Sequence, residues 1–272
     1  GDLVLIFGNP KGGKSWSIVA MAAEAIKKGY NVIYYALELG ESYVGKRFDA
    51  YLTGIPVDQI DKNRDKVEEI MSKIPGKLII KGYPPKRASL STIETHLNQV
   101  REQGEQNDKL FTIDAVFIDY LDLLKNRNSS RKERKDDIDD VYTDAKGLAK
   151  ELNIPVISPS QANRSGAEVD ILEGKHISGS YDKLMIGDIV ISLSRGRKDR
   201  LEGTGRWHFL GNRYGLDGVT YASTIDTSMG HITIDEDELD LDNNDKVTSK
   251  DGMGMFSSEK TYLKNQFFKM ER

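Results

Sequence analysis

The segment from Gly8 to Ser15 has residue types and a spacing that suit the binding of phosphate groups. It fits the pattern G-x4-G-K-S without a mismatch, between an apolar run and an alanine-rich segment. Glycines let backbone N–H groups converge on phosphate oxygens, and the dipole of a following helix favours the same negative charge. Lys14 is expected to reach the β- and γ-phosphates, and the Ser15 hydroxyl to ligate Mg²⁺. The sequence therefore predicts a site for ATP and Mg²⁺, with nucleotide contacts from Gly8, Asn9, Pro10, Lys11, Gly12, Gly13, Lys14, Ser15 and Trp16.

Two carboxylates that follow apolar runs are candidates for the rest of this chemistry. Asp119 follows the run 115–118, where a magnesium-associated aspartate is expected, although an ordinary aspartate that caps a turn is the alternative. Glu38 follows the run 32–37, and the carboxyl ends of parallel strands lie on the ligand side of a sheet. Partial burial there would suit Glu38 to take a proton from an attacking water. The alternative for Glu38 is a simple acid ahead of the helix that begins at Glu41.

Alternating strand and helix patterns must position these residues. A continuous apolar run, as a buried parallel strand requires, occurs at 3–7, and mainly apolar segments at 32–37, 78–80, 115–118, 154–157 and 189–193 are predicted to be further strands. Helical patterns lie between them at 17–28, 41–52, 90–100 and 141–152. Residues 206–210, 219–225 and 231–234 instead resemble antiparallel strands joined by glycine-containing turns. The predicted fold is α/β, a doubly wound and mostly parallel sheet with antiparallel strands at its C-terminal edge.

Length, charge and composition set the limits of this interpretation. The 272 residues divide into an expected domain at 1–234 and an acidic linker and tail at 235–272, partly disordered. Residues 126–140 are almost wholly polar and are also expected to be mobile. The net charge of −4, from 39 Lys and Arg against 43 Asp and Glu, excludes a wholly basic nucleic-acid coat but allows local basic loops. No cysteine and no membrane-length apolar run are present, so a cytoplasmic location is expected. Because the sequence begins at Gly1 directly before a strand, we also expect an upstream domain in a longer protein.

Five motifs in order give the chain a family resemblance. They are the loop 8–15 and the segments 36–39, 117–121, 160–164 and 212–215. Over residues 1–234 the chain resembles the RecA-like ATPase domain of DnaB-type hexameric replicative DNA helicases, with the closest likeness to those of tailed phages. The phosphate loop alone is generic, whereas the ordered combination is specific. The resemblance implies a RecA-like sheet and an ATP-hydrolysing enzyme.

The resemblance also implies a role for each matching residue. Glu38 matches the glutamate that activates water, and Asp119 matches the magnesium-associated aspartate. Gln161 matches the glutamine that senses the γ-phosphate, although a strand-end amide that satisfies a backbone group is the alternative. Arg213 matches the arginine finger that enters a neighbouring subunit's site, with a surface arginine in a hairpin as its alternative. The chain departs from the family at Gly211, where a lysine is usual, so the second cation is either missing or supplied by Lys198, Arg200 or another residue.

DNA contacts are implied in two loops, one after the Asp119 strand and one after Gln161. Basic loops rich in glycine and serine suit a nucleic-acid backbone, although a solvated charge run is the alternative for the first loop. The first loop also contains Arg127. The candidate contacts are Arg131, Lys132, Arg134, Lys135, Arg164, Lys175, Ser178, Gly179 and Ser180.

The implied function is a DNA helicase that uses ATP to move along single-stranded DNA and unwind the duplex. Its expected partners are single-stranded DNA, further copies of itself in a hexameric ring and primase or other replisome proteins, with no membrane. For a phage-encoded chain the expected location is the host cytoplasm. A recombinase or recombination mediator with the same ATP site is the alternative, and a nucleotide-switched binding module is disfavoured because a switch does not need the water-activating Glu38.

Overall fold

In the part of the chain that the structure describes, nine strands form one sheet, and most of them coincide with apolar runs in the sequence. The computed structural model describes residues 1–106, 112–126, 134–163, 169–176 and 182–239. The strands are β1 (Leu3–Gly8), β2 (Val32–Ala36), β3 (Leu78–Gly82), β4 (Ala115–Asp119), β5 (Val156–Gln161), β6 (Ile189–Ser194), β7 (Thr204–Asn212), β8 (Thr220–Asp226) and β9 (His231–Glu238). Hydrogen-bonded neighbours follow the order β3-β2-β4-β5-β1-β6-β7-β8-β9.

The direction of the strands confirms the predicted fold class. All neighbours from β3 to β6 are parallel. The pairs β6–β7, β7–β8 and β8–β9 are antiparallel, as the change of pattern after residue 205 predicted. The register aligns Gly8 with Gln161 on one side and with Leu193 on the other. It also aligns Ala36 with Asp119, so the carboxyl ends of β1, β2, β4 and β5 meet at one edge.

Helices cover both faces of the parallel part of the sheet. In the described residues the α-helices are α1 (Lys14–Lys27), α2 (Glu41–Thr53), α3 (Arg64–Met71), α4 (Leu90–Gln106), α5 (Arg134–Leu152), α6 (Asp182–Ile186) and α7 (Arg197–Glu202). Gly54 ends α2 in the left-handed conformation, and its N–H donates to the carbonyl of Ala50. Short 3₁₀ turns occur at Val57–Lys62, Leu121–Leu123 and Gly174–His176.

Alternation along β1 divides the core into two layers. Leu3, Leu5 and Phe7 face a cluster that includes residues of α4 and α5. Ile6 faces the other cluster, with α1 and α2. Each of these side chains is fully buried, and such burial contributes about 1.5–3 kcal/mol per large apolar side chain. The two layers hold β1 rigidly, and β1 leads directly into the phosphate loop.

Several elements differ from the expectations drawn from sequence. Helix α5 begins at Arg134, so residues 134–140 are helical rather than mobile. Strand β9 continues to Glu238, so the boundary expected after residue 234 falls inside a strand, and residues 235–238 are ordered. Residues 240–272 lie outside the described residues. No helix in the described part of the chain is long and apolar enough to cross a membrane.

Candidate nucleotide site

The phosphate loop joins the end of β1 to the start of α1. Gly13 precedes the helix with φ 101°, a conformation that favours glycine. The N–H of Gly12 donates to the carbonyl of Asn9 at 3.0 Å, and a β-carbon on Gly12 would lie 2.9 Å from that oxygen. The loop is therefore tight, and its glycines are required by backbone contacts as well as by the approach of a ligand.

The ammonium group of Lys14 lies within the loop. Its Nζ donates to the carbonyl oxygens of Gly8 at 2.8 Å and of Asn9 at 2.9 Å. Burial lowers the pKa of Lys14 to about 8, although the negative charges of Glu38 and Asp119 oppose that change. A phosphate chain in the loop would supply the counter-charge that this buried cation lacks.

Asp119 lies opposite Ser15 and is held by a buried tyrosine. The Tyr34 hydroxyl donates to Asp119 Oδ2 at 2.9 Å, and Ser15 Oγ lies 3.5 Å from Oδ1. Burial raises the pKa of Asp119, and the hydrogen bonds from Tyr34 and Ser15 offset only part of that rise. A hydroxyl and a carboxylate oxygen are ligand types that Mg²⁺ accepts, usually with several waters, so these two residues fit the ion. Within the described residues no cluster of three or more His, Cys, Asp or Glu side chains could hold a metal by itself.

Glu38 and Gln161 complete the polar wall of the site. Glu38 follows β2 and is exposed at the rim, so the partial burial expected from the sequence is absent in the single chain. Gln161 ends β5 beside Gly8, and its Nε2 donates to the Tyr120 hydroxyl at 3.2 Å. That bond links the amide to the residue that follows Asp119.

These side chains line one cleft of about 540 Å³. The volume lies within the range of about 300–1,000 Å³ that small-molecule and cofactor sites occupy. The residues that line it are Pro10, Lys11, Gly12, Gly13, Lys14, Ser15, Trp16, Glu38, Leu39, Arg47, Asp119, Tyr120, Pro159, Gln161 and Thr227. The structure thus brings together the residues predicted for ATP and Mg²⁺, with Gly8 and Asn9 at the base of the loop.

Arg47 is a cleft residue to which the sequence assigned no role. Its guanidinium lies 4.7 Å from the centre of the Trp16 ring and 5.1 Å from that of Tyr43. Its Nε is buried and has no hydrogen-bond partner among the described residues. Trp16 is itself buried, so it supports Arg47 as well as lining the cleft. The segment 46–50, which contains Arg47, also resembles the same helicase family, and this likeness was the available signal.

Arg213 lies far from this cleft. It follows β7 at the edge of the sheet where β1 begins, and its N–H donates to the carbonyl of Asp188 at 3.0 Å. Leu3, at the same edge, is five residues before Gly8, or about 16 Å at ~3.3 Å per residue of strand. Lys198 and Arg200 lie on α7, which follows the opposite end of β6. Neither of them therefore lies beside Arg213 in the same chain, where a replacement for the lysine usual at position 211 was expected.

The structure describes only part of the candidate DNA loops. Lys175 is exposed and forms an ion pair with Glu173 at 2.6 Å. Arg134 and Lys135 begin α5, but the described residues do not include their side chains. Arg127, Arg131, Lys132, Arg164, Ser178, Gly179 and Ser180 lie outside the described residues.

Comparison with known proteins adds a family match. The family described as "DnaB-like helicase C terminal domain" matches residues 1–170. The chain is 27% identical over 178 residues to the "DnaB-like replicative helicase" of Enterobacteria phage T4, covering 62% of this chain and 35% of that protein. It is 29% identical over 205 residues to the "Replicative DNA helicase DnaB" of Helicobacter pylori, covering 72% of this chain and 40% of that protein. The chain therefore spans well under half the length of these relatives.

Solved structures share the fold. The ATPase domain of G40P superposes with a TM-score of 0.71 at 21% identity, covering 85% of this chain and 84% of that one. A DnaB-like replicative helicase, described together with its interactions with primase, gives the same TM-score and identity and covers 85% of this chain and 58% of that one. At these identities the likeness concerns the fold, and it confirms the RecA-like architecture.

Proposed function

We propose, because this chain belongs to the family of DnaB-like helicase C-terminal domains, that it is the ATP-hydrolysing motor of a replicative DNA helicase. In this proposal, copies of the chain assemble into a ring, hexameric as in DnaB-type helicases. ATP bound between neighbours is hydrolysed, and the ring moves along single-stranded DNA and unwinds the duplex. Nucleotide use is a general property of the family.

The separation of Arg213 from the cleft is the observation that carries this proposal. Lys14, Asp119 and Gln161 lie at the carboxyl edge of the parallel strands, whereas Arg213 lies at their amino edge. Because β1 alone separates the two edges by about 16 Å, Arg213 would not reach the cleft of its own chain. An arginine that acts on phosphate from this position acts on a neighbour's site, which requires assembly.

Each cleft residue has a task in the proposed hydrolysis. Lys14 and the loop N–H groups hold the β- and γ-phosphates, and Arg47 adds a cation from the facing helix. Mg²⁺, held by Ser15 and by Asp119 through water, would offset the phosphate charge. Glu38 accepts the proton of the attacking water. Gln161 contacts the γ-phosphate, and its bond to Tyr120 places that contact beside the turn that leads out of β4.

Single-stranded DNA is the proposed track, and the candidate loop residues are its proposed contacts. The solved relative that is described with primase supports primase as a replisome partner of the assembled ring. Electron microscopy with ATP and single-stranded DNA separates this proposal from its alternative, because a helicase forms closed rings and a recombinase forms filaments.

The decisive test mixes two inactive variants. Lys14→Ala removes the phosphate contact of its own cleft but keeps Arg213, and Arg213→Ala has the opposite defect. In mixed assemblies some interfaces pair an intact cleft with an intact arginine, so part of the ATPase activity should return. If mass measurements show mixed assemblies and no activity returns, Arg213 does not act between subunits and the ring proposal fails.

A further inference from the structure

One buried carboxylate, that of Asp188, contacts three separate parts of the chain at the amino edge of the parallel strands, where Arg213 lies. Asp188, which precedes β6, has 3% of its side chain exposed. Its Oδ2 accepts the N–H of Leu3 at 3.0 Å. Its Oδ1 accepts Lys146 Nζ of α5 at 2.9 Å and lies 3.1 Å from Arg213 Nε. Two cations and one backbone N–H thus surround this carboxylate, which has no part in the nucleotide cleft of its own chain.

The contact with Asp188 uses the inner part of the Arg213 side chain. The close approach is through Nε, and neither terminal nitrogen donates a hydrogen bond to a residue that the structure describes. Arg213 keeps 54% of its side chain exposed. Arginine binds phosphate best with two parallel N–H groups of its planar fork. Asp188 therefore restrains the guanidinium and leaves its terminal nitrogens free to bind phosphate.

The turn that carries Arg213 is restrained on both sides. The Asn212 side chain accepts the N–H of Tyr214 at 3.1 Å and donates to the carbonyl of Leu216 at 3.3 Å. The Tyr214 hydroxyl donates to Asp2 at 2.5 Å. The backbone N–H of Arg213 is also bound, by the carbonyl of Asp188. With the backbone held in this way, the contact between the Asp188 carboxylate and Nε restrains the direction of the Arg213 side chain.

We propose that Asp188 is a positioning residue that fixes the Arg213 guanidinium for entry into a neighbouring subunit's ATP site. This inference rests on the proposed function, because Arg213 needs a site in another copy of the chain. An arginine that is already ordered loses less conformational entropy when it meets a phosphate. It also reaches the transferring phosphoryl group with fewer unproductive orientations.

Asp188→Asn is the direct test, because the amide oxygen still accepts the Leu3 N–H while the charge is lost. The ATP affinity of the unassembled chain should stay unchanged, since its own cleft lies at the opposite edge. The KM of the assembled protein should change less than kcat, since an arginine finger mainly stabilises charge in the transition state. The kcat should fall roughly ten- to hundredfold, as is typical when a group that orients a catalytic side chain is removed. A kcat that stays at the wild-type value in Asp188→Asn overturns the inference. A higher kcat also overturns it, because Asp188 would then be keeping Arg213 away from the neighbouring site.

Lys146→Met is the matched control, because it removes the other cation from the same carboxylate and leaves Arg213 in place. It should lower thermal stability and keep kcat near the wild-type value. If Asp188→Asn does not assemble, Asp188→Glu keeps the charge and displaces the carboxylate, and the same loss of kcat is expected. A loss in Lys146→Met as large as in the Asp188 variant would mean that only stability matters, which overturns the inference.

Mixing experiments separate this inference from the function on which it rests. A chain with Asp188→Asn has an intact cleft and a poorly placed arginine, so mixing with Lys14→Ala should restore activity, as mixing with Arg213→Ala does. If the Arg213→Ala mixture recovers and the Asp188→Asn mixture does not, Asp188 is not acting through the finger. If neither mixture recovers, the action between subunits fails and the role of Asp188 fails with it.

Discussion

At the scale of single residues, the cleft depends on partners that no motif identifies. Tyr34 orients Asp119 from 85 positions earlier in the chain, and the Arg47 guanidinium lies close to two aromatic rings. The motif residues were predictable because their types and spacing follow from phosphate chemistry. Their supports were not predictable because a buried tyrosine and an arginine on a helix have many ordinary uses. The exposed position of Glu38 was also missed, since burial depends on neighbours that the strand pattern does not specify.

Arg47→Lys tests the cation that faces the loop. Lysine keeps the charge but loses the planar group that lies over the Trp16 and Tyr43 rings, so ATP affinity should fall about tenfold, a change equivalent to ~1.4 kcal/mol. Calorimetric titration with ATP measures the change. Lys46→Ala is the control, because Lys46 pairs with Asp61 away from the cleft. Equal losses in both variants would show that the fold of α2, and not the guanidinium over the two rings, sets the affinity.

Glu38→Gln separates nucleotide binding from hydrolysis. The amide cannot accept a proton from water, so hydrolysis should fall about 10²–10⁴-fold while ATP binding is kept. Steady-state turnover with single-stranded DNA and an equilibrium binding assay measure the two quantities. Glu41→Gln is the matched control, because Glu41 accepts the Gly82 N–H and starts α2. A fall of less than about tenfold in Glu38→Gln would remove Glu38 from the role of general base.

At the scale of elements, long apolar runs were more predictable than short polar helices. Strand β1 was predicted within one residue because a strand covered on both faces must be continuously apolar. Helices α3, α6 and α7 have five to eight residues and no long periodic face, so the pattern did not reveal them. The start of α5 was missed because its first turns are polar. The contact between Asp188 and Leu3 joins residues 185 positions apart, which no local pattern encodes.

The ionisation of Asp188 leads to a prediction about acid, which should weaken the contacts that this carboxylate makes with Leu3 of β1 and Lys146 of α5. Burial opposes its ionisation, but hydrogen bonds from Lys146 and Leu3 and the charge of Arg213 outweigh that effect and lower the pKa of the carboxyl. A lowered folded-state pKa stabilises the fold above the unfolded value near 4, and this contribution is lost as pH falls through the folded-state pKa. Urea unfolding of the wild type and of Asp188→Asn should therefore give free energies of unfolding that converge below about pH 4. A difference that stays constant from pH 6 to about pH 3 would contradict the prediction.

At the scale of the whole molecule, the two halves of the proposed catalytic site lie at opposite edges of one sheet. The carboxyl edge holds the cleft, and the amino edge holds Arg213. The antiparallel pairing of β6 with β7 causes this separation, because it returns the chain to the edge where β1 begins. A single copy therefore has the cleft at one edge and Arg213 at the other. A second copy, rotated or translated relative to the first, is needed to bring an Arg213 to a cleft. The sequence predicted the residues of both halves, whereas their distance became clear only from the strand order.

This separation predicts that ATP hydrolysis depends on chain concentration while nucleotide binding does not. Turnover per chain should rise as copies assemble and then level off, because each new interface joins a cleft to an arginine. Turnover and molar mass, measured on the same dilution series with single-stranded DNA present, should rise together. In Arg213→Ala the assembly should remain, but turnover should stay low and nearly flat, since arginine fingers contribute about 10³–10⁵-fold in other phosphoryl-transfer enzymes. Full turnover by chains whose mass is that of a monomer would show that one copy completes its own site, and the requirement for a neighbour would be wrong.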